Sequence, residues 1–234
     1  MADLAAGGPN PDVSLLYRVN GIAQDAPDWF DRAVGLVGEY GLVLALVLLV
    51  LCCWRGARRR GDTESVETFA ALVWAPLAAG IALLVNVPLR GFVGRPRPFE
   101  QHEGLEVLAA GKTDFSFVSD HATLAMALGV GLFVANRRIG LVGIGLALVE
   151  GLTRVYMGVH YPTDVVGGFA LGTAAVLLLA PLAMALLTPV VRAVARSPRT
   201  GWIVRSRRAC APRPVELAKA QGAEEFTQES DLAA

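Results

Sequence analysis

Three stretches of the chain carry residue types suited to anion chemistry. Residues 89–98, LRGFVGRPRP, supply Arg90, Arg95 and Arg97. Residues 118–123, VSDHAT, supply Ser119, Asp120 and His121. Residues 153–164, TRVYMGVHYPTD, supply Thr153, Arg154, His160 and Asp164. Arginine forks match phosphate oxygens bidentately. Ser119 is a good N-cap, and the free amides after it would form an anion site at the positive end of a helix dipole. Pro162 disfavours helix at Tyr161, so His160 should sit in a loop, with Thr163 or Asp164 capping the next helix. Asp164, four positions on, could then hydrogen-bond one ring nitrogen of His160. That bond would fix the tautomer and leave the other nitrogen free to attack. His121 could protonate a leaving oxygen.

Elements long enough to cross a bilayer must position these residues. The chain has 234 residues, 54% of them hydrophobic, which suits one domain and at most two. Five apolar runs cover roughly 34–53, 67–89, 120–136, 139–158 and 164–190. Residues 14–30 are apolar only in part and predict an amphipathic helix at the membrane interface, ending near Pro27 and Trp29. The expected organisation is an N-terminal segment over 1–33, a membrane domain over 34–190 and a tail over 191–234. That tail is basic at first, then acidic and disordered.

The arginines set a direction. Arg55, Arg58, Arg59 and Arg60 follow the first run, and Arg137 and Arg138 separate the third from the fourth. Arg192, Arg196, Arg199, Arg205, Arg207 and Arg208 follow the fifth. Basic loops stay in the cytoplasm, which places the N-terminus, the 90–118 loop and the 159–163 loop outside and the C-terminus inside. Arg90, Arg95, Arg97 and Arg154 lie on the outer side against that rule, so another use is expected for them. All the candidate residues come from segment ends on one face of the membrane and can converge at one depth.

Other features exclude alternatives. Lys plus Arg equals Asp plus Glu at 21 each, so net charge says nothing about partners; separately, no nucleic-acid partner is expected. Cys52, Cys53 and Cys210 form neither a disulfide framework nor a zinc spacing. The first 30 residues lack the basic start and apolar core of a signal peptide. No metal and no cofactor are expected, because arginines can neutralise a phosphate. Plainer roles suffice elsewhere. His102 reads as a solvated loop residue, Arg95 as a lipid-headgroup contact, and Tyr156 and Tyr161 as interface aromatics. Glu150 stands one helical turn before Arg154 and should orient it. Gly167, Gly168 and Gly172 should permit close helix packing.

The spacing Arg90-x6-Arg97-Pro98, Ser119-x-His121 and Arg154-x5-His160-x3-Asp164 resembles the three-part signature of the type-2 phosphatidic acid phosphatase superfamily. These are membrane lipid phosphate phosphatases related to vanadium haloperoxidases, and the resemblance covers roughly residues 67–185. It implies His160 as nucleophile through a phosphohistidine, Asp164 as its activator and His121 as general acid. It implies phosphate binding by Arg97, Ser119 and Arg154, and by Arg90 where the family usually has lysine. The implied fold is an all-α membrane bundle of about six helices: five transmembrane helices with the N-terminal helix as the sixth. Three positions depart from the pattern: Arg90 for lysine, Val118-Ser119-Asp120-His121 for Pro-Ser-Gly-His, and Thr153 for serine. Asp120 adds a carboxylate beside a phosphate site and would repel an anion unless it faces an arginine or points away. The Ser-Asp-His-Ala-Thr form resembles the bacterial undecaprenyl diphosphate phosphatase branch.

The leading expectation is therefore a plasma-membrane phosphatase acting on a membrane lipid phosphate at the outer face, with undecaprenyl diphosphate as substrate and cell-wall synthesis as setting. Phosphatidic acid and phosphatidylglycerol phosphate are the alternatives. A haloperoxidase-like activity is disfavoured in a chain built to span lipid. A non-enzymatic lipid-binding or transport protein would not need the His160–Asp164 pair.

Overall fold

The computed structural model describes residues 10–59, 62–109, 111 and 113–204. All regular structure among the described residues is helical. The expected acidic tail, Cys210, Arg60, Arg205, Arg207 and Arg208 lie outside the described residues.

The N-terminal segment forms two helices where one was expected. Helix α1 (Pro11–Gln24) starts on Asn10, whose side chain accepts from the Asp12 amide at 3.1 Å. Helix α2 (Asp28–Leu36) starts on Pro27, which holds an extended backbone (ψ 145°) and so breaks the run. α1 is docked on protein: Leu16, fully buried, packs with Val155, Tyr161 and Val165. Asn20, also fully buried, donates to the carbonyls of Glu106 and Tyr156 at 2.8 Å each. Those bonds tie α1 to the loop above the bundle.

α2 runs through a π-helical turn (Val37–Gly41) into α3 (Leu42–Ala57). Helices α4 (Asp62–Val93), the short α5 (Pro98–Gln101), α6 (Asp120–Ala135), α7 (Arg137–Tyr156) and α8 (Pro162–Arg196) follow. Among the described residues, four helical stretches are long and apolar enough to cross a membrane: Asp28–Ala57, Ser65–Gln101, Arg137–Tyr156 and Pro162–Arg196. The third apolar run of the sequence differs. It forms the 16-residue α6, about 24 Å long by helix rise and short of the ~30 Å hydrocarbon core.

α6 lies at the centre of the bundle, enclosed by α4, α7 and α8. Its alanines and glycines leave the neighbouring backbones close. A Cβ on Gly131 would come 2.4 Å from the Cβ of Ala75 in α4, and one on Gly172 in α8 would come 2.5 Å from the carbonyl oxygen of Thr123. The crossing of α6 and α8 matters because it brings Ser119 against Asp164: the Ser119 amide donates to the Asp164 carbonyl at 3.2 Å. Gly172→Ala should therefore cost about 1–3 kcal/mol and lower the thermal midpoint in detergent; an unchanged midpoint would show that the crossing has slack.

The two ends of the bundle differ. At one end Arg58 lies over the rings of Trp54 and Trp202, and the Trp54 indole donates to the Ile203 carbonyl at 3.0 Å. At the other end the C-terminus of α4, the N-termini of α6 and α8, the C-terminus of α7 and the π-helical turn converge.

Candidate active site

The structure brings the candidate residues together at that second end. Ser119 caps α6, its hydroxyl accepting from the Ala122 amide at 3.4 Å. Tyr161 is the N-cap residue of α8, correcting the expected Thr163 or Asp164. Asp164 sits instead at the third helical position, where its carboxylate accepts from the Tyr161 amide at 2.9 Å. This capping-box arrangement satisfies a free amide at the helix start. His160 precedes the helix, 4% exposed.

The tautomer of His160 is fixed differently from expectation. Its Nδ1 lies 3.8 Å from the nearer Asp164 oxygen, too far for a hydrogen bond. Nδ1 instead stands 2.9 Å from the carbonyl oxygen of Ser116, to which it donates. The Ser116 hydroxyl donates to Asp164 Oδ2 at 2.5 Å. Asp164 thus acts on His160 through Ser116. Nε2 is left with its lone pair facing Nη1 of Arg97 at 3.4 Å. Burial pushes the His160 pKa below its ordinary value; the opposing pull of Asp164 is outweighed, and the positive charge of Arg97 adds to the fall. The ring is neutral, as a nucleophile requires.

The arginines surround this nitrogen. Arg97 is 2% exposed. Its Nη1 donates to the Val159 carbonyl at 3.0 Å, and its Nε and Nη2 donate to the carbonyl and carboxylate of Asp114 at 2.9 and 2.5 Å. Arg90 forms ion pairs with Asp114 and Asp120. Asp120 also accepts from Asn86 at 2.6 Å, so it faces an arginine and its charge is met within the fold. Arg154 is fully buried, pairing with Glu150 at 3.0 Å and donating to Glu39 at 2.9 Å. The expected Glu150 pairing is present. Nη2 of Arg154 has no hydrogen-bond acceptor among the described residues, and a buried orphan donor is a place for an anionic oxygen. His121, in the first turn of α6, lies with Nε2 3.8 Å from Glu39 Oε1.

Several plainer readings are corrected. Arg95 is no headgroup contact: it donates to Asp164 at 2.8 Å, Thr163 at 2.7 Å and Asp12 at 2.6 Å, and lies 3.6 Å over the Tyr161 ring. Tyr156 and Tyr161 are buried, and the Tyr156 hydroxyl donates to Asp31 at 2.6 Å. His102 does lie in the loop, half-exposed, with the rings of Tyr17 and Tyr161 edge-on to it. Gly167, Gly168 and Gly172 do stand where α8 passes closest to its neighbours.

The PAP2 superfamily profile matches residues 70–187, half of the chain, and the three arginine- and histidine-bearing stretches fall inside it. The chain belongs to the PAP2 superfamily. Among PAP2-related proteins, it is 31% identical to undecaprenyl-diphosphatase BcrC of Bacillus subtilis over 137 residues, which make up 58% of this chain and 66% of that one. The match therefore spans just under two thirds of that relative. It is 30% identical to decaprenylphosphoryl-5-phosphoribose phosphatase of Mycobacterium tuberculosis over 174 residues, 72% of this chain and 89% of the relative. The PAP2-type phosphatidylglycerolphosphate phosphatase of Bacillus subtilis has the same fold. Its crystal structure superposes with a TM-score of 0.52 at 21% identity, covering 75% of this chain and 86% of that one.

Glu39, Asp12, Asn86, Asp114 and Ser116 were missed from sequence. Glu39 and Asp12 lie before the PAP2 match. A signal for Glu39 existed: it is an acidic residue inside an apolar run, which in a membrane segment marks a partner or a function. The π-helical turn carries it into the site, and Gly38 beside it lets the helix approach, since a Cβ there would lie 2.8 Å from the Thr153 hydroxyl.

Proposed function

We propose that the chain is an integral membrane phosphatase that hydrolyses a lipid diphosphate or monophosphate. One observation carries this reading: the unprotonated Nε2 of buried His160 faces the Arg97 fork at 3.4 Å. A phosphate held there by Arg97, Arg90, Arg154 and the amides after Ser119 would present phosphorus to Nε2. The lone pair forms the N–P bond as the bond from that phosphorus to its leaving oxygen breaks, the bridging oxygen of a diphosphate or the lipid-alcohol oxygen of a monophosphate, and His121 gives its proton to that oxygen. Water then attacks the phosphorus of the phosphohistidine, the N–P bond breaks to release phosphate and free His160, and the proton of that water returns to His121.

The substrate proposed is undecaprenyl diphosphate, cleaved to the monophosphate. The activity named for the Bacillus relative, the Ser119-Asp120-His121-Ala122-Thr123 form and the number of arginines support it, since a second phosphate needs its own countercharge. A second reading is a polyprenylphosphoryl sugar phosphate, as named for the Mycobacterium relative. It is favoured by a cavity of about 640 Å³ bordered by Asp28, Asp31, Arg32, Glu39 and Glu106, whose carboxylates suit sugar hydroxyls. Side-by-side kcat/KM on undecaprenyl diphosphate, a polyprenylphosphoryl phosphoribose, phosphatidic acid and phosphatidylglycerol phosphate decides among them. A higher value for either glycerolipid overturns the polyprenyl assignment, and no phosphate release from any of them overturns the phosphatase.

The site is proposed to open on the extracytoplasmic side, with the C-terminus in the cytoplasm. The basic residues Arg55, Arg58 and Arg59 at the opposite end support this orientation. In a Cys52→Ser, Cys53→Ala, Cys210→Ser background, Glu103→Cys should react with an impermeant thiol reagent in intact cells and Arg59→Cys should not. The reverse labelling pattern would place the site in the cytoplasm.

A further inference from the structure

The Nε–Nη2 edge of Arg97 is held by one residue. Nε and Nη2 both bind Asp114, through its carbonyl and its carboxylate. The second oxygen of the same carboxylate pairs with Arg90. The Asp114 carboxylate thus bridges the two arginines assigned to phosphate, one oxygen on each. Its side chain is 46% exposed while that of Arg97 is 3% exposed, so an anion arriving from outside meets Asp114 first. Burial would raise the Asp114 pKa, but the Arg97 hydrogen bond and the charges of Arg97 and Arg90 hold it below the ordinary carboxylate range. It is ionised whenever the enzyme would work.

We infer that Asp114 is a built-in competitor at the phosphate site: its carboxylate occupies the Arg90–Arg97 pair and must leave before the substrate phosphate can bind there. This rests on the phosphatase reading and adds to it. While Nε and Nη2 remain on Asp114, the Nε–Nη2 edge of Arg97 cannot hold a phosphate bidentately, and the Nη1 donors face Val159 and His160. Entry of the phosphate and departure of Asp114 are therefore one exchange. A carboxylate offers one negative charge to the two arginines. A phosphate monoester offers up to two and a diphosphate more, so either can displace it, and the same displacement cost is subtracted from both.

The test measures binding of inorganic phosphate and pyrophosphate to purified full-length protein by calorimetry, which needs no turnover. In Asp114→Asn, phosphate should bind about tenfold more tightly, the equivalent of one charged hydrogen bond no longer competing. Pyrophosphate should gain by about the same factor, because the same carboxylate is displaced. Asp114→Glu, which keeps a carboxylate, should bind phosphate about as weakly as the wild type. Unchanged or weaker phosphate binding in Asp114→Asn overturns the competition and makes Asp114 an aid to binding. If neither anion binds even the wild type, the phosphate-site reading falls with it, whereas wild-type binding without a difference in the variant overturns the role of Asp114 alone.

Discussion

His160→Ala should lower kcat by about 10,000-fold or more and leave the protein folded in detergent. The magnitude follows from the loss of an attacking atom, for which nothing nearby substitutes. His160 is neutral and its Nε2 lone pair faces Arg97, so its removal leaves a pocket of arginines that bind phosphate without attacking it. Asp164→Asn should be milder, about 100-fold, because the Ser116 carbonyl at 2.9 Å still holds the Nδ1 proton. Had Asp164 been the direct partner, its loss would be as severe as a wrong tautomer. A rapid quench without acid should trap a phosphohistidine in the wild type and none in His160→Ala. Full activity in that variant would end the nucleophile assignment. The pH dependence carries a sign. Because burial lowers the His160 pKa, the folded protein takes up this proton at lower pH than the unfolded chain. The stability linked to the neutral ring is present above about pH 6.5 and is lost as pH falls below it. The acid limb of kcat/KM should accordingly lie below the value of a free histidine.

The arginines, histidines and serine of the site were legible because their chemistry depends on spacing along the chain. Ser119 before an apolar run is an N-cap wherever the helix packs, and Pro162 sets the start of α8 locally. The carboxylates were not legible for the opposite reason. Asp12, Glu39 and Asp114 reach Arg95, Arg154 and Arg97 from 83, 115 and 17 residues away, and no local pattern reports such pairings. Ser116 was hidden because its part depends on a backbone carbonyl as well as on a side chain. The same contrast explains the membrane segments. Hydropathy found the run that forms α6, but a run of Ala and Gly is apolar both in lipid and at the centre of a bundle. Its 16 residues are understood only once α4, α7 and α8 are seen around it. Asp120 shows the reverse case: the sequence posed an electrostatic problem, and Arg90 with Asn86 resolves it.

Arg154→Ala should be the most destabilising single change in the site, by about 3–5 kcal/mol, or a fall of about 10 °C in the thermal midpoint. Arg154 and Glu150 are both fully buried and 3.0 Å apart. Truncating the arginine leaves a carboxylate inside the bundle without its countercharge, and that desolvated charge, more than the lost attraction, sets the cost. Glu39 is affected less, because its side chain is 27% exposed and can turn to water. The double variant Arg154→Met, Glu150→Leu removes both buried charges and fills the same space, so it should recover most of the lost stability. It should not recover turnover, because the donor proposed to meet the phosphate is still missing. Thermal melts and kcat/KM on the three proteins separate the two roles of Arg154. A double variant as unstable as Arg154→Ala would show that shape, not charge, fixes α7 here. A double variant that is both stable and active would remove Arg154 from phosphate binding.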